Sequence, residues 1–256
     1  MKKHIAVRAL IIVAGMGMIA GNALAMPLTT ALQKELDDRT QGGKSSINVS
    51  KDMLEDGSDA YWRITATGAS ASTLIFKFGG YAPTTSFGIY DQADPNNTLL
   101  IFDASITPGN FDSIKLTKNL GNVFSTTQKV IIDGEEYEKT IKKEFSSDTF
   151  GYYFAVGTTG KTWYSDTNLN SDQFDHMFAY QGTGDAFSIN KDNNYKTWTA
   201  NEYILAWEDM TGGGDKNYRD FAVMVESVQP VPEPAAMLLF GAGITGLAAV
   251  SRRKIA

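Results

Sequence analysis

Between two apolar runs, Tyr203-Ile204-Leu205-Ala206-Trp207 and Phe221-Ala222-Val223-Met224-Val225, the chain places Glu208, Asp209, Asp215, Asn217 and Asp220 around the consecutive glycines Gly212, Gly213 and Gly214. Side-chain oxygens at this density are the donor set of a hard cation such as Ca²⁺, which takes about six to eight oxygens at about 2.4 Å. Glycines let backbone carbonyls and clustered carboxylates converge without side-chain clashes. The spacing is not that of the helix-loop-helix calcium site, because the Glu that closes its loop is missing. Gly213-Gly214-Asp215 occurs once, which excludes a repeat-built calcium roll. Asp215 and Asp220 stand where the loop approaches its strands and are the first-choice ligands, with Glu208, Asp209 and Asn217 completing the set. A solvated acidic hairpin has the same composition, and spacing alone leaves the two readings open.

Other chemistry is poorly supplied. The chain has no cysteine, so disulfides, thiolate metal sites and a Cys nucleophile are excluded. Beyond the first 25 residues the only histidine is His176, in Phe174-Asp175-His176-Met177-Phe178. No multi-histidine metal site follows from that, and the expected role is a strand-edge residue bonded to Asp175 or to backbone. There is no Gly-x-Ser-x-Gly nucleophile elbow. Glu135, Glu136, Glu138 and Glu144 offer carboxylates for an acid pair, but they alternate with Lys139, Lys142 and Lys143 beside Asp133-Gly134, the pattern of a solvated hairpin face. Gly42-Gly43-Lys44-Ser45 is half of a phosphate loop whose leading glycine position is Asp38, and it reads as a turn. No catalytic set emerges, and the expectation is a protein that is not an enzyme.

These side chains have to be held by β structure. Only Thr29 to Arg39 has helical spacing, with Leu28, Leu32 and Leu36 at i, i+4 and Gln41-Gly42-Gly43 as the stop. From Ile47 onward, short aromatic and β-branched runs (61–67, 72–78, 85–90, 98–102, 114–117, 130–132, 137–141, 150–156, 176–180, 203–207 and 221–228) alternate with turn clusters such as Gly79-Gly80 and Asp94-Pro95-Asn96-Asn97. Asp133-Gly134 is the strongest hairpin signal. The pattern predicts an all-β domain, a β-sandwich or jelly roll with one short N-terminal helix.

The two ends read as addresses. Lys2, Lys3 and Arg8, the apolar run from Ala9 to Ala20 and the small residues Ala23 and Ala25 make residues 1–25 a secretory signal peptide, with cleavage expected after Ala25. At the other end the uncharged stretch from Ala235 to Val250 is just long enough for a C-terminal transmembrane helix through the inner membrane. Arg252, Arg253 and Lys254 after it favour a cytoplasmic C-terminus. Pro232 and Pro234 keep the residues before the span extended. Residues 26–230 are then the extracytoplasmic domain. Setting aside the leader's three cations and the tail's Glu233, Arg252, Arg253 and Lys254 leaves 17 basic and 28 acidic residues, a net charge of −11. Nucleic acid and anionic lipid are poor partners for such a domain, and cations are good ones.

Two stretches carry resemblances. The tripeptide Pro232-Glu233-Pro234, the Gly-rich span and the closing Arg252-Arg253-Lys254 make residues 231–256 similar to a PEP-CTERM sorting tail. That resemblance implies recognition by an exosortase-type membrane protease in an exopolysaccharide-producing Gram-negative bacterium. The protein is then anchored in the inner membrane before processing and sent to the cell surface or the extracellular matrix. Glu208-Asp209, Gly213-Gly214-Asp215 and Asp220, with Phe87-Gly88-Ile89-Tyr90-Asp91 upstream, resemble an uncharacterised β domain of bacterial surface proteins over much of residues 47–228. It ends in a Glu-Asp, Gly-Gly-Asp, Asn-Asp signature and often stands beside calcium-binding or adhesive modules. Here Arg219 replaces the Asn and removes one oxygen donor. The expected role is a non-catalytic surface or biofilm-matrix protein. The alternative is a carbohydrate-binding module that contacts exopolysaccharide through Trp163, Tyr164, Tyr195 and Trp198.

If the tail is the sorting signal, Glu233→Ala, or loss of Arg252, Arg253 and Lys254, leaves the protein exported but unprocessed in the inner membrane. Intact mass of surface material checks this, and wild-type surface protein still carrying Ala235 to Ala256 contradicts it.

Overall fold

The computed structural model describes residues 30–66, 68–77, 84–103, 114–132 and 135–232. The signal peptide, the tail from Glu233 onward, the Gly79-Gly80 turn and Asp133-Gly134 lie outside the described residues. Among the described residues no helix is long and apolar enough to cross a membrane. Among the described residues one α-helix, α1 (Thr30–Arg39), precedes fifteen strands. These are β1 (Tyr61–Ile64), β2 (Ala69–Lys77), β3 (Thr85–Asp91), β4 (Asp94–Phe102), β5 (Ile114–Lys118), β6 (Val123–Ile132), β7 (Glu135–Glu144) and β8 (Phe150–Val156). They continue with β9 (Lys161–Tyr164), β10 (Met177–Gln181), β11 (Ala186–Phe187), β12 (Lys196–Thr197), β13 (Glu202–Trp207), β14 (Phe221–Glu226) and β15 (Val228–Val231). A seven-stranded sheet runs β10-β13-β14-β2-β5-β6-β7, and a six-stranded sheet runs β15-β1-β8-β3-β4 with β9 added to β8. The protein is a mostly β, sandwich-like structure with one helix.

Side-chain alternation explains the layers. Tyr203, Leu205 and Trp207 of β13 and Phe221, Val223 and Val225 of β14 face the six-stranded sheet and share a core with Trp62, Phe87, Ile89, Phe150 and Phe154. Ring contacts join the two sheets: Phe154 stacks on Phe221 with centroids 4.9 Å apart, and Trp62 meets Tyr203 edge-on at 5.0 Å. The opposite faces of the same strands, Ile204, Ala206, Ala222 and Met224, are covered by Leu32 and Leu36 of α1 together with Phe187, Trp198 and Tyr218. Strands hidden on both sides read as nearly continuous apolar runs, which is what 203–207 and 221–225 are. The i, i+4 leucines of α1 are the narrow apolar stripe such a cover needs.

Two local expectations are corrected. Asp94 to Asn97, expected as a turn, opens β4, and the reversal falls at Gln92-Ala93 with Asp91 paired to Asp94. The Asp91 carboxylate accepts from Ala93 N at 3.0 Å and from Ser146 N at 2.6 Å, so the turn is pinned earlier than Pro95 suggests. Pro95 is tolerated because β4 is a sheet edge. Strand β9, not anticipated, carries Trp163 into the core at 0% exposure. Trp198 is likewise 1% exposed, and its Nε1 donates to Glu202 O at 3.1 Å. Neither indole is a platform for sugar, and that basis for carbohydrate binding falls. The Glu135 to Glu144 face is a hairpin arm, β6 pairing β7 up to Ile132↔Glu135, with Glu135, Glu138 and Glu144 exposed.

Between β3 and β8, Gly88 lies opposite Tyr153 and Tyr90 opposite Gly151. Each tyrosine ring lies across the facing glycine: a Cβ on Gly151 would stand 2.1 Å from Tyr90 Cζ, and one on Gly88 2.7 Å from Tyr153 Cε1. Gly151→Ala therefore overpacks this pair and lowers stability by about 1–3 kcal/mol. Thermal unfolding of the full chain checks it. Adding Tyr90→Ala to Gly151→Ala should be less than additive, because the second change removes the clash of the first.

Candidate functional site

The hairpin that joins β13 to β14 holds the acidic loop. Trp207 pairs with Phe221, and Asp220 N donates to Trp207 O at 3.3 Å, which closes the neck. The loop turns on glycines in left-handed conformation: φ is 68° at Gly212, 78° at Gly213 and 44° at Gly214. Space forbids side chains as well. A Cβ on Gly213 would stand 2.2 Å from the Phe174 ring, and one on Gly214 would stand 2.6 Å from Glu208 Oε1. Lys216 and Tyr218 also take positive φ, 56° and 49°, a conformation that disfavours L side chains by roughly 1–2 kcal/mol per residue. The Tyr218 hydroxyl donates to Asp175 O and holds the strained segment down.

This geometry gathers Glu208, Asp209 and Asp220, each offering a carboxylate oxygen within 4.8 Å of the others. All three are nearly shielded from solvent, Glu208 completely. Asp220 Oδ2 accepts from Asp209 N at 3.2 Å. Glu208 accepts from Met210 N at 3.4 Å and from Asn217 N at 3.2 Å. Asp215 stands outside the group and is exposed; its carboxylate accepts from Asn217 N at 3.2 Å and from Asn217 Nδ2 at 2.6 Å. The Asn217 amide oxygen accepts from Arg219 N at 2.9 Å, so it serves the turn. Of the five residues expected as ligands, the structure brings three together and uses the other two to shape the rim. Burial, reinforced by Asp220, pushes the Glu208 carboxyl up to about 8, and burial followed by Asp220 pushes Asp209 up to about 6. Asp220 is raised by burial too.

Beneath the loop lies a support that sequence reasoning missed. His176 is fully buried, its ring stacked on Trp163 at 3.7 Å with planes 7° apart. His176 Nδ1 donates to Glu208 O at 2.9 Å, and Nε2 faces Asp172 Oδ2 at 3.1 Å. The charged partner is thus Asp172, not Asp175. Asp172 Oδ2 also accepts from Gly212 N at 2.7 Å, while Trp163 Nε1 donates to Asp209 O at 2.9 Å. Burial lowers the pKa of His176. The run Asp172-Gln173-Phe174-Asp175-His176 was the only local signal of this clamp, and nothing in it names the loop it grips.

A β-sandwich carrying a hairpin loop of buried carboxylates is the class that fold and site define. Residues 125–228 match a domain of unknown function (DUF4114), and residues 230–254 match the PEP-CTERM protein-sorting motif. The first match spans β6 to the start of β15 and contains the whole acidic loop; Phe87 to Asp91, included in the resemblance above, fall outside it. The second contains Pro232, Glu233, Pro234, Arg252, Arg253 and Lys254. The chain therefore carries the signal recognised by exosortase, a membrane protein, which implies export and membrane anchoring before processing. No curated protein and no solved structure matches the chain.

In chelator the acidic loop should make stability pH-dependent. Glu208 has a folded pKa above its ordinary 4.5, so the folded state binds the extra proton. That contribution is full at low pH and is lost as pH rises through about 8. Between about pH 5 and about pH 8 the thermal midpoint of metal-free wild type should therefore fall relative to Glu208→Gln. A constant difference between the two proteins over that window contradicts the assignment.

Proposed function

We propose that the chain is a non-catalytic, exosortase-sorted surface protein whose β-sandwich is clasped by Ca²⁺ at the Glu208 to Asp220 loop, serving in the extracellular matrix of an exopolysaccharide-producing bacterium. The observation that carries the calcium reading is the trio Glu208, Asp209 and Asp220. Two oxygens on opposite sides of an ion bound at about 2.4 Å are about 4.8 Å apart. The three carboxylates offer oxygens within that separation. Buried like charges at this distance repel, and a divalent ion offsets the repulsion while tying β13 to β14. With three carboxylates in place, the remaining ligands of such an ion would be water and backbone carbonyls, an irregular shell that suits Ca²⁺ better than the octahedral demands of Mg²⁺. Extracellular calcium modules bind at about 10⁻⁴–10⁻³ M, and an exported domain is served by that range.

The non-catalytic reading is supported by the use of His176 as a strut, both nitrogens engaged and the ring covered by Trp163. The matrix role rests on the sorting motif and on the domain's acidic, cation-seeking surface.

The test is thermal unfolding of the purified full chain in detergent, with millimolar Ca²⁺ or with chelator. Calcium at a hundredfold excess over Kd, about 10 mM for a Kd of about 10⁻⁴ M, should stabilise the wild type by about 2.7 kcal/mol. Asp220→Asn should remove most of that gain yet be no less stable than wild type in chelator, since it also removes repulsion. An unchanged wild-type midpoint, with no calcium bound by calorimetry, overturns the reading.

A further inference from the structure

The edges of the two large sheets are not finished alike. Strand β15 carries Pro230, which has no N–H to offer a further strand. Strand β4 carries Pro95, and its pairing with β3 shifts register twice. The outer edge of β10 is taken by Met53, which bridges Tyr180, and by Leu54 N, which donates to Ala179 O at 2.9 Å. Strand β7 has none of these devices. It is ten residues long without a proline, and its register with β6 runs unbroken from Val123↔Glu144 to Ile132↔Glu135. Alternation decides where its backbone groups point. Phe145 N, just past the strand, donates to Asn122 O at 2.9 Å, so odd positions are bonded toward β6. Glu144 O instead accepts from the Asn97 side chain at 2.8 Å, as an even position turned away from β6 does. By the same alternation the N–H and C=O groups of Glu136, Glu138, Thr140 and Lys142 point outward, and among the described residues no strand pairs with them.

A long unpaired edge invites another strand, and interspersed charges are the usual protection. On β7 the charges are sorted instead: Glu135, Glu136 and Glu138 come first, and Lys139, Lys142 and Lys143 follow. An antiparallel copy of the same strand reverses that order, so each acidic half meets a basic half. The outward-pointing groups restrict the register, because even positions must face even positions. With the two-fold axis at Lys139, Glu135 faces Lys143, Glu136 faces Lys142 and Glu138 faces Thr140. Tyr137, 52% exposed in the single chain, then faces Ile141. An axis at Thr140 sets Glu136 against Glu144, and an axis at Glu138 sets that residue against itself and leaves Lys142 and Lys143 without acidic partners. Opposite charges across strands stabilise and like charges destabilise, so the axis at Lys139 is preferred despite its one Lys–Lys contact. We propose that β7 is a self-association edge, which pairs antiparallel with β7 of a second copy of this chain about Lys139 and joins two seven-stranded sheets into one.

The chain has no cysteine, so Lys139→Cys supplies its only thiol. At a non-hydrogen-bonded antiparallel pair the Cα atoms are about 4.5 Å apart, within reach of a disulfide. Tyr137→Cys is the control, since the register separates its two copies by four residues, about 14 Å. In mild oxidant the full chain in detergent should form a disulfide-linked dimer with Lys139→Cys and about tenfold less of it with Tyr137→Cys. Light scattering should give two chains per wild-type particle. Lys142→Glu with Lys143→Glu should weaken the dimer at least about tenfold, and adding Glu135→Lys with Glu136→Lys should restore it, because the four changes exchange the two halves. One chain per wild-type particle at the highest soluble concentration overturns the proposal. Equal cross-linking at the two positions overturns it too, as does a dimer indifferent to Lys142→Glu with Lys143→Glu, which places the contact on another surface.

Discussion

Strands β13 and β14 hide both faces, and the rest of the molecule is arranged to make that happen. One face needs the six-stranded sheet; the other needs α1 and the residues around Phe187, Trp198 and Tyr218. Apolar burial is worth about 25 cal/mol per Å², so a pair of strands covered on both sides is the most strongly held part of such a sheet. The acidic loop hangs from this pair. Its carboxylates are tolerated close together because the hairpin beneath them does not yield.

Electrostatics then sets what the loop can be. Beside α1 a partly buried charge is matched: Arg39 meets Glu35, and Lys191 joins the same carboxylate at 3.0 Å. At the loop the principal charges acting on Glu208 and Asp209 are other carboxylates, and burial weakens the solvent screening that would separate them. The hydrogen bonds from Met210 N, Asn217 N and the neighbouring backbone stabilise the geometry without supplying positive charge. The clamp of His176, Asp172 and Trp163 holds the loop from below.

Export gives this architecture a purpose. A domain without cysteines cannot be stapled by disulfides. Its restraint comes from packing, with β13 and β14 covered on both faces. The PEP-CTERM motif at 230–254 directly follows β15, whose register with β1 runs from Ile64↔Val228 to Tyr61↔Val231. The sorting tail thus leaves the sandwich from a paired strand, which keeps Pro232 exposed at the domain's edge.

Local chemistry was legible without the fold. Pro-Glu-Pro ahead of an apolar span and a basic cluster defines the sorting tail because its order along the chain is itself the signal. The β character, α1 and the acidic, glycine-rich loop follow from spacing and turn residues that act over a few positions. What needed the tertiary structure were the facts that depend on which face a side chain meets. Trp163 and Trp198 are indistinguishable from surface aromatics in the sequence, and become core only when β9 pairs with β8 and Trp198 packs on Phe187. Glu208 joins the carboxylate trio ahead of Asp215 because the end of β13 turns it inward, while Asp215 spends its oxygens on Asn217. Met53 and Tyr180 lie far apart along the chain, and their bridge, with Leu54 N on Ala179 O, exists only once β10 is in place, since no local rule of spacing encodes a contact closed by the packing of a whole sheet.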